Sequence, residues 1–560
     1  MEKQTSLLDA LTEAWTRPWM DVAEYMVDLT QRYLMYLDVK RKAANNMLDH
    51  HAAGMPPVLK FEYETILDAR TFDRPANYAL LQIKPPADVT LDPTKPPLVI
   101  VDPRAGHGPG IGGFKEDSEV GMALREGFQT YFVSFFPDPC EGQTLEDVEL
   151  AEIRFLEEVH SRHPDVGRPV VYGNCQAGWA VAMLGADRPD VCGPIILNGA
   201  PLSYWAGRAG ATPMRAMGGV SGGDWGVRLA CDLGRGRFDG AWLVENFEKL
   251  NPANTLFKKS YDLLRDVDTA EERFLDFERW WTGFYRLNED EINWITDSLF
   301  IGNDLEQGTL KLSENHHIDM RRAQDPIVVF ASQGDNITPP AQALGWIHEI
   351  YPTTEELKRH GQRVIYLLHS HAGHLGIFVS AKVARREHRA IIENLERFPE
   401  LEPGLYEMVI EGETGETDPA KPQFVVRFEE RRVEDVCYNR DQDERAFERA
   451  ERLAARLDGA YRAFVRPWIR PMITPPVAEA LRWLHPARSS RVVYSERVNP
   501  LMHGISALAS VARSQRKKAR DDNPYLQLER IAADGVVDAL DAYRDARDGA
   551  VEAVYRLVFS

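Results

Sequence analysis

Only five cysteines occur in 560 residues, at Cys140, Cys175, Cys192, Cys231 and Cys437. They are scattered, odd in number and nowhere spaced as C-x-x-C. They supply neither a disulfide framework nor a zinc site, and they fit a reducing compartment. Long apolar runs are also missing. None approaches the roughly 20 residues a membrane helix needs, so no transmembrane segment is expected. The opening MEKQTSLLDALTEAW lacks the basic start and apolar stretch of a secretory signal, and the expected location is cytoplasmic. Positive charge is in deficit, with 66 Lys and Arg against 86 Asp and Glu and a net charge of −20. No overall field draws in phosphates, so no nucleic-acid partner is expected. Arg513, Arg516, Lys517, Lys518 and Arg520 form a local basic cluster, read as a solvated helix face. The length leaves ample material for a large core and several domains.

Strand and helix signals alternate through the first four hundred residues. Strand candidates are LKFEYETIL (59–67), YALLQIK (78–84), PLVIVDP (97–103), TYFVSFF (130–136), PVVYGN (169–174), GPIILNG (193–199), PIVVFASQ (326–333) and RVIYLLH (363–369). Helix signals fall between them at 118–126, 145–162, 176–187, 340–350 and 377–397. Short continuous apolar runs are those of a parallel sheet covered on both faces, with the first two strands as an antiparallel edge. The alternation breaks at 201–325, an aromatic stretch that includes FLDFERWWTGFYRLNEDEINW and reads as an inserted cap. The expected organisation is an N-terminal helical region (1–52), a catalytic domain (53–400) with the cap inside it, a β-hairpin connector (401–438) and a C-terminal helical region (439–560). Near the start, Trp19, Val22, Met26, Leu29, Tyr33 and Leu37 form one apolar helical stripe, expected to pack on its own protein.

The chemistry gathers around VVYGNCQAGWA (170–180). A strand runs into a sharp turn and then a helix, with Gly173, Ala177 and Gly178 as small neighbours of Cys175. That is the nucleophile elbow of the α/β-hydrolase fold, where the backbone is strained and larger neighbours would clash. The helix N-terminus turns amides and the positive end of its dipole toward the reacting centre. A cysteine nucleophile needs a base and a group to orient that base. PIVVFASQGDNITPP places Asp335 just after a late strand, and RVIYLLHSHAGHLGIF places His374 after the last one. The order Cys175, Asp335, His374 is the hydrolase order. The oxyanion hole is expected from the amide of Gln176 together with Gly106 and His107 in the glycine-rich loop PRAGHGPGIGGF (103–114).

Two other readings attach to these stretches. Gly108-Pro-Gly110-Ile-Gly-Gly113 matches G-x-G-x-x-G, and Asp138 ends the next strand, as in a dinucleotide fingerprint. His369, His371 and His374 sit close enough in sequence to bind a metal together. The expectation adopted is no metal and no cofactor.

The same residues resemble the poly(3-hydroxyalkanoate) synthases, cysteine enzymes of the α/β-hydrolase fold, over roughly residues 90 to 385. Gly173-Asn-Cys175-Gln-Ala-Gly178 is similar to their lipase-like box Gly-x-Cys-x-Gly-Gly. FVSFFPDP (132–139), DSLFIGNDLEQGTL (297–310), ASQGDNITPP (331–340) and Ala372-Gly373-His374 resemble further stretches of the family. The resemblance implies acyl transfer. Cys175 takes a 3-hydroxyacyl group from coenzyme A as a thioester, His374 serves as base, and Asp335 orients it. Acyl-CoA is then a substrate rather than a cofactor, and a homo-oligomer or a polymer-granule surface is the implied association. Asn336 replaces the family's histidine beside the aspartate, Ala177 replaces a glycine, and residues 400–560 fall outside the resemblance. A cysteine-dependent ester or thioester hydrolase, and a non-catalytic granule- or membrane-surface protein, are the alternative readings.

Overall fold

Ten strands form one sheet in the computed structural model, which describes residues 7–207, 213–414, 424–436 and 444–560. They are β1 (Tyr63–Asp68), β2 (Tyr78–Ile83), β3 (Leu98–Val101), β4 (Thr130–Phe135), β5 (Val170–Asn174), β6 (Ile195–Asn198), β7 (Ile327–Ser332), β8 (Arg363–His369), β9 (Gly404–Glu413) and β10 (Phe424–Arg431). Their spatial order is β1-β2-β4-β3-β5-β6-β7-β8-β9-β10. Pairing is parallel from β4 through β9, and β1, β2 and β10 are antiparallel to their neighbours. Every residue of β3, β4, β5, β6 and β7 is buried, which is why these strands read as unbroken apolar runs.

The chain steps from β3 to β4 on one side and returns to β5 on the other. That reversal opens a crevice beyond the carboxyl ends of β3 and β5, where open α/β sheets place their sites. The helices that follow these strands are short and well started. Ser118 caps α2 (Glu119–Arg125) through the Gly121 amide, and a Thr144–Asp147 capping box starts α3 (Leu145–Arg162). The helix after β5, α4 (Gln176–Asp187), has Cys175 in the N-cap position.

The hairpin expected as a connector is instead the outer edge of the sheet. β9 pairs in parallel with β8 through Arg363↔Gly404 to Tyr366↔Glu407. The polar residues between β9 and β10, and Cys437, lie outside the described residues.

The chain divides into two compact units that cut across the boundaries expected from the sequence. One holds the sheet and comprises Met55–Val244, Phe284–Arg482 and Asp548–Ser560. The other is built from the chain up to Gly54, Glu245–Gly283 and Trp483–Arg547. Its described residues are mainly helical and pack around Met35, Val39, Leu263, Val267, Ala270 and Ala512. The apolar stripe of the first helix, α1 (Leu7–Ala52), faces outward at Trp19, Met26 and Tyr33. The buried side of α1 instead carries Asp21, Asp28, Arg32 and Asp38 beside Met35 and Val39. These charges are paired: Arg32 holds Asp28 and Glu529, and Arg513 and Arg516 hold Asp38 and Asp28. The basic cluster is thereby largely spent within this unit, with Arg520 on Glu24 and Lys518 on Asp268.

The inserted stretch is divided in the same way. Phe274, Phe277, Trp280 and Trp281 belong to the helical unit, where Phe277 and Trp281 stack at 5.5 Å and Lys259 sits 4.9 Å from the Phe277 ring. Residues 201–244 and 284–325 stay with the sheet. No helix among the described residues is long and apolar enough to cross a membrane.

Candidate functional site

Cys175 sits at the end of β5 with φ 49° and ψ −118°, a conformation costly for any residue with a side chain. Its surroundings hold it there. The Cys175 amide donates to the Asn198 carbonyl at 2.9 Å, and the Gly178 amide donates back to the Cys175 carbonyl at 2.9 Å. A methyl group on Gly173 would lie 2.8 Å from both the Ala177 carbonyl oxygen and Gly178 Cα. A methyl group on Gly178 would collide with Ala200. The small residues around the cysteine are therefore a packing requirement of the turn.

The structure brings Cys175, His374 and Asp335 together from three loops. His374 Nε2 is 3.1 Å from Cys175 Sγ, and His374 Nδ1 is 2.8 Å from Asp335 Oδ2. The other Asp335 oxygen accepts the amides of Ile337 and Thr338, each at 2.8 Å. All three side chains are buried. Burial disfavours charge on His374, but the Asp335 carboxylate and the Cys175 sulfur facing it outweigh that cost and raise its pKa to about 10. Gly199, with φ +51°, lies beside the ring's support: an added methyl would press on Phe378 at 3.1 Å and Ile377 at 3.3 Å, and would only touch His374 at 3.5 Å.

His369 and His371 do not join His374. His369 Nδ1 accepts the amides of His371 and Ala372 at 3.0 and 2.9 Å, and His371 is exposed. Both ring nitrogens of His374 are engaged by Asp335 and Cys175. The three histidines thus have no common point at which to hold an ion.

The glycine-rich loop after β3 is held from both sides. Asp102 Oδ2 accepts the amides of Gly110 and, at 2.8 Å, Ile111, while Oδ1 accepts Gly112 at 3.1 Å. Those amides would have to cradle a pyrophosphate in the dinucleotide reading, and a buried carboxylate already occupies them. Gly106 has φ +102° and packs on Gly240, and its carbonyl accepts the Tyr285 amide at 3.0 Å. His107 bridges to Phe284 in an antiparallel pairing. Arg104 forms a buried pair with Glu291. Burial, reinforced by the charge of nearby His374, lowers His107 to about 3, so its ring is neutral.

Gln176 is the first residue of α4, so its amide lacks a helical carbonyl partner. Its side-chain oxygen accepts Trp179 Nε1 at 2.8 Å and the Tyr204 hydroxyl at 3.3 Å. Tyr204 comes from the start of the insertion, and its ring meets Phe300 edge-on at 4.5 Å.

Sequence reasoning missed the polar layer beneath the elbow. Asn174 and Asn198 end β5 and β6 at paired register positions. Asn198 Nδ2 donates to Asn174 Oδ1 at 3.1 Å and to Glu119 Oε1 at 3.2 Å, and Asn174 donates to Glu119 Oε2. Burial raises Glu119 to about 8, with the Asp102 charge adding to it and the two asparagines opposing. Burial lowers nearby His388 to about 4. At neutral pH this layer carries a neutral acid and a neutral imidazole. The signal lay in two neighbouring strands ending in asparagine, YGN and ILN.

The strand order and the placing of cysteine, acid and histidine after β5, β7 and β8 define an α/β-hydrolase fold. The chain belongs to the family described as "Protein of unknown function (DUF3141)", which matches residues 28–560. A Rhizobium meliloti protein described as "Uncharacterized protein in ackA 5'region" is 47% identical over 568 aligned residues, covering 100% of this chain and 76% of that protein. Among solved structures, the Pyrobaculum calidifontis esterase aligns at 12% identity and a TM-score of 0.32, covering 65% of this chain and 92% of the esterase. The Bacillus subtilis naproxen esterase aligns at 13% identity and 0.32, covering 61% and 96%. The Pyrococcus horikoshii acylaminoacyl peptidase aligns at 14% and 0.31, covering 61% of this chain and 43% of the peptidase. The chain thus spans less than half of the peptidase's length.

Proposed function

We propose that the protein is an acyl-transferring enzyme that works through a covalent cysteine thioester. The observation that carries this reading is the run of contacts from Cys175 Sγ through His374 to Asp335, at 3.1 and 2.8 Å, on a strained turn at the start of a helix. His374 takes the Cys175 proton, and Asp335 holds the resulting imidazolium in place. The sulfur attacks the donor carbonyl, and the carbonyl oxygen becomes an oxyanion that the Gln176 amide faces. The second donor is assigned to the loop of Gly106 and His107. Collapse breaks the bond to the leaving group, which departs with the proton from His374. An acceptor hydroxyl then gives its proton to His374 and attacks the acyl-cysteine, and Cys175 is released.

For the donor we infer a 3-hydroxyacyl-CoA thioester, on the resemblance of the elbow and of the stretches carrying Asp335 and His374 to the poly(3-hydroxyalkanoate) synthases. Sulfur displacing sulfur leaves a thioester that stays reactive toward the next hydroxyl. The buried setting of Cys175, with Tyr204 on Gln176 and Phe300 against Tyr204, favours transfer over hydrolysis because water competes poorly in a buried site. Incubation with 3-hydroxybutyryl-CoA, followed by thiol titration and chromatography of the acyl products, tests this reading. Coenzyme A release matched by ester-linked product supports transfer. Release matched by free 3-hydroxybutyrate would make the protein a thioester hydrolase.

A further inference from the structure

Far from the elbow, at the other end of α4, three side chains from separate elements converge. Asp187 is the last residue of α4, Glu149 lies in α3, and His316 lies in the two-residue strand His316–His317, which pairs with Lys311–Ser313. His316 Nε2 is 3.1 Å from Asp187 Oδ2 and 3.9 Å from Glu149 Oε2. One ligand atom from each of the three lies within 4.8 Å of the other two. Glu146 adds a further carboxylate 3.3 Å from His316 Nδ1.

Glu149 is what sets this cluster apart from a surface ion pair. Its side chain is 4% exposed, and neither of its oxygens has a hydrogen-bond partner among the described residues. A buried carboxylate without hydrogen bonds is rare and costly in a folded protein. The nearby arginines are spent or distant. Arg74 is held by Glu146 and Asp147, and Arg322 approaches Asp187 only to 3.8 Å. The carbonyl end of α4 adds partial negative charge beside Asp187.

We propose that Glu149, Asp187 and His316 bind a first-row divalent cation such as Zn²⁺. One imidazole with two carboxylates suits that class, whereas Ca²⁺ and Mg²⁺ favour all-oxygen shells. Bonds of about 2.0–2.2 Å set ligand atoms roughly 3–4 Å apart, so the observed spacings need little closing. The cation satisfies the buried Glu149 and ties the end of the inserted stretch to α3 and to α4, the helix that follows Cys175. Its role is structural, and it touches no reacting group. This inference stands independently of the acyl-transfer reading.

The test is calorimetric titration of the chelator-dialysed full chain with ZnCl₂ at pH 7.5, with thermal melting alongside. Glu149→Gln and His316→Ala are the comparison proteins, and circular dichroism establishes that each is folded. Glu149→Gln removes a charge without losing volume, so the metal-free variant melts no lower than the metal-free wild type. The expected result is one equivalent bound by the wild type with a rise in melting temperature. Affinity falls at least tenfold in both variants, and the rise disappears. Zinc that bound elsewhere, for instance at the cysteines, would be indifferent to Glu149. Equal binding in Glu149→Gln, or no binding by the wild type, overturns the proposal.

Discussion

Asn198 grips Cys175 and the buried layer below it at once. Its carbonyl accepts the Cys175 amide at 2.9 Å, while its side-chain amide donates to Glu119 at 3.2 Å. The strained turn is therefore joined to a protonatable group outside the triad. Because Glu119 is the acceptor for both Asn174 and Asn198, Glu119→Ala leaves two buried amides without it. The expected cost is about 2–6 kcal/mol, at roughly 1–3 kcal/mol per unsatisfied buried group. Glu119→Gln keeps one acceptor and costs less, so urea melts of the two variants should rank in that order.

The same residue gives stability a pH dependence of definite sign. Glu119 titrates at about 8 in the folded chain and near the ordinary glutamate value when unfolded. Between those values the folded state holds the proton and the unfolded state does not, so stability falls as pH rises from about 4.5 to 8. Glu152, raised to about 8 by burial, adds to the slope. Below about pH 6.5 the buried, neutral His107 and His388 oppose this slope, so thermal melts from pH 6.5 to 8 are where the wild type should decline and Glu119→Gln decline less.

Gly178 should tolerate nothing larger than hydrogen. An added methyl group collides with Ala200, a residue of the turn after β6. Gly178→Ala is expected to cost about 1–3 kcal/mol, the usual range for overpacking a core, and to slow acylation by moving the sulfur off line. The paired change Gly178→Ala with Ala200→Gly should restore part of both. A melt and an acylation rate for the double variant check this.

Tyr204 is expected to govern what resolves the acyl-enzyme. Its ring stands with Phe300 beside Gln176, and its hydroxyl reaches Gln176 Oε1 at 3.3 Å. Tyr204→Phe keeps the ring and should leave the ratio of transfer to hydrolysis within about threefold. Tyr204→Leu opens space for water and should shift product toward free acid by about tenfold or more. Product ratios from a single thioester donor measure the effect.

Much of the core was legible because its signals are local. The helices 145–162, 176–187 and 340–350 have the bounds their sequences predict: the first starts with a capping box, the last with a proline, and 176–187 starts at the sharp turn of Cys175. Cys175, Asp335 and His374 could be named because each follows a strong strand in a fixed order. Where partners are distant in sequence, reading failed. The pairing of β8 with β9 is a choice of neighbour that periodicity does not encode, so two sheet strands looked like a connector. On α1 the apolar stripe was visible, but buried ion pairs on the other side outweighed it, and those depend on residues about five hundred positions away. The aromatic run at 274–281 packs within the helical unit, a choice of partner its sequence does not encode, because aromatics signal burial without saying against what. Asp102 and Glu119 went unnoticed because a buried acid looks like any surface acid in a sequence.

The most direct test of the account is intact-protein mass spectrometry after brief exposure to 3-hydroxybutyryl-CoA and acid quench. The account predicts one 3-hydroxybutyryl adduct, located on Cys175 by peptide mapping, absent in Cys175→Ala and at least tenfold slower to form in His374→Ala. An adduct that persists in Cys175→Ala, or coenzyme A released at the wild-type rate by that variant, would contradict it.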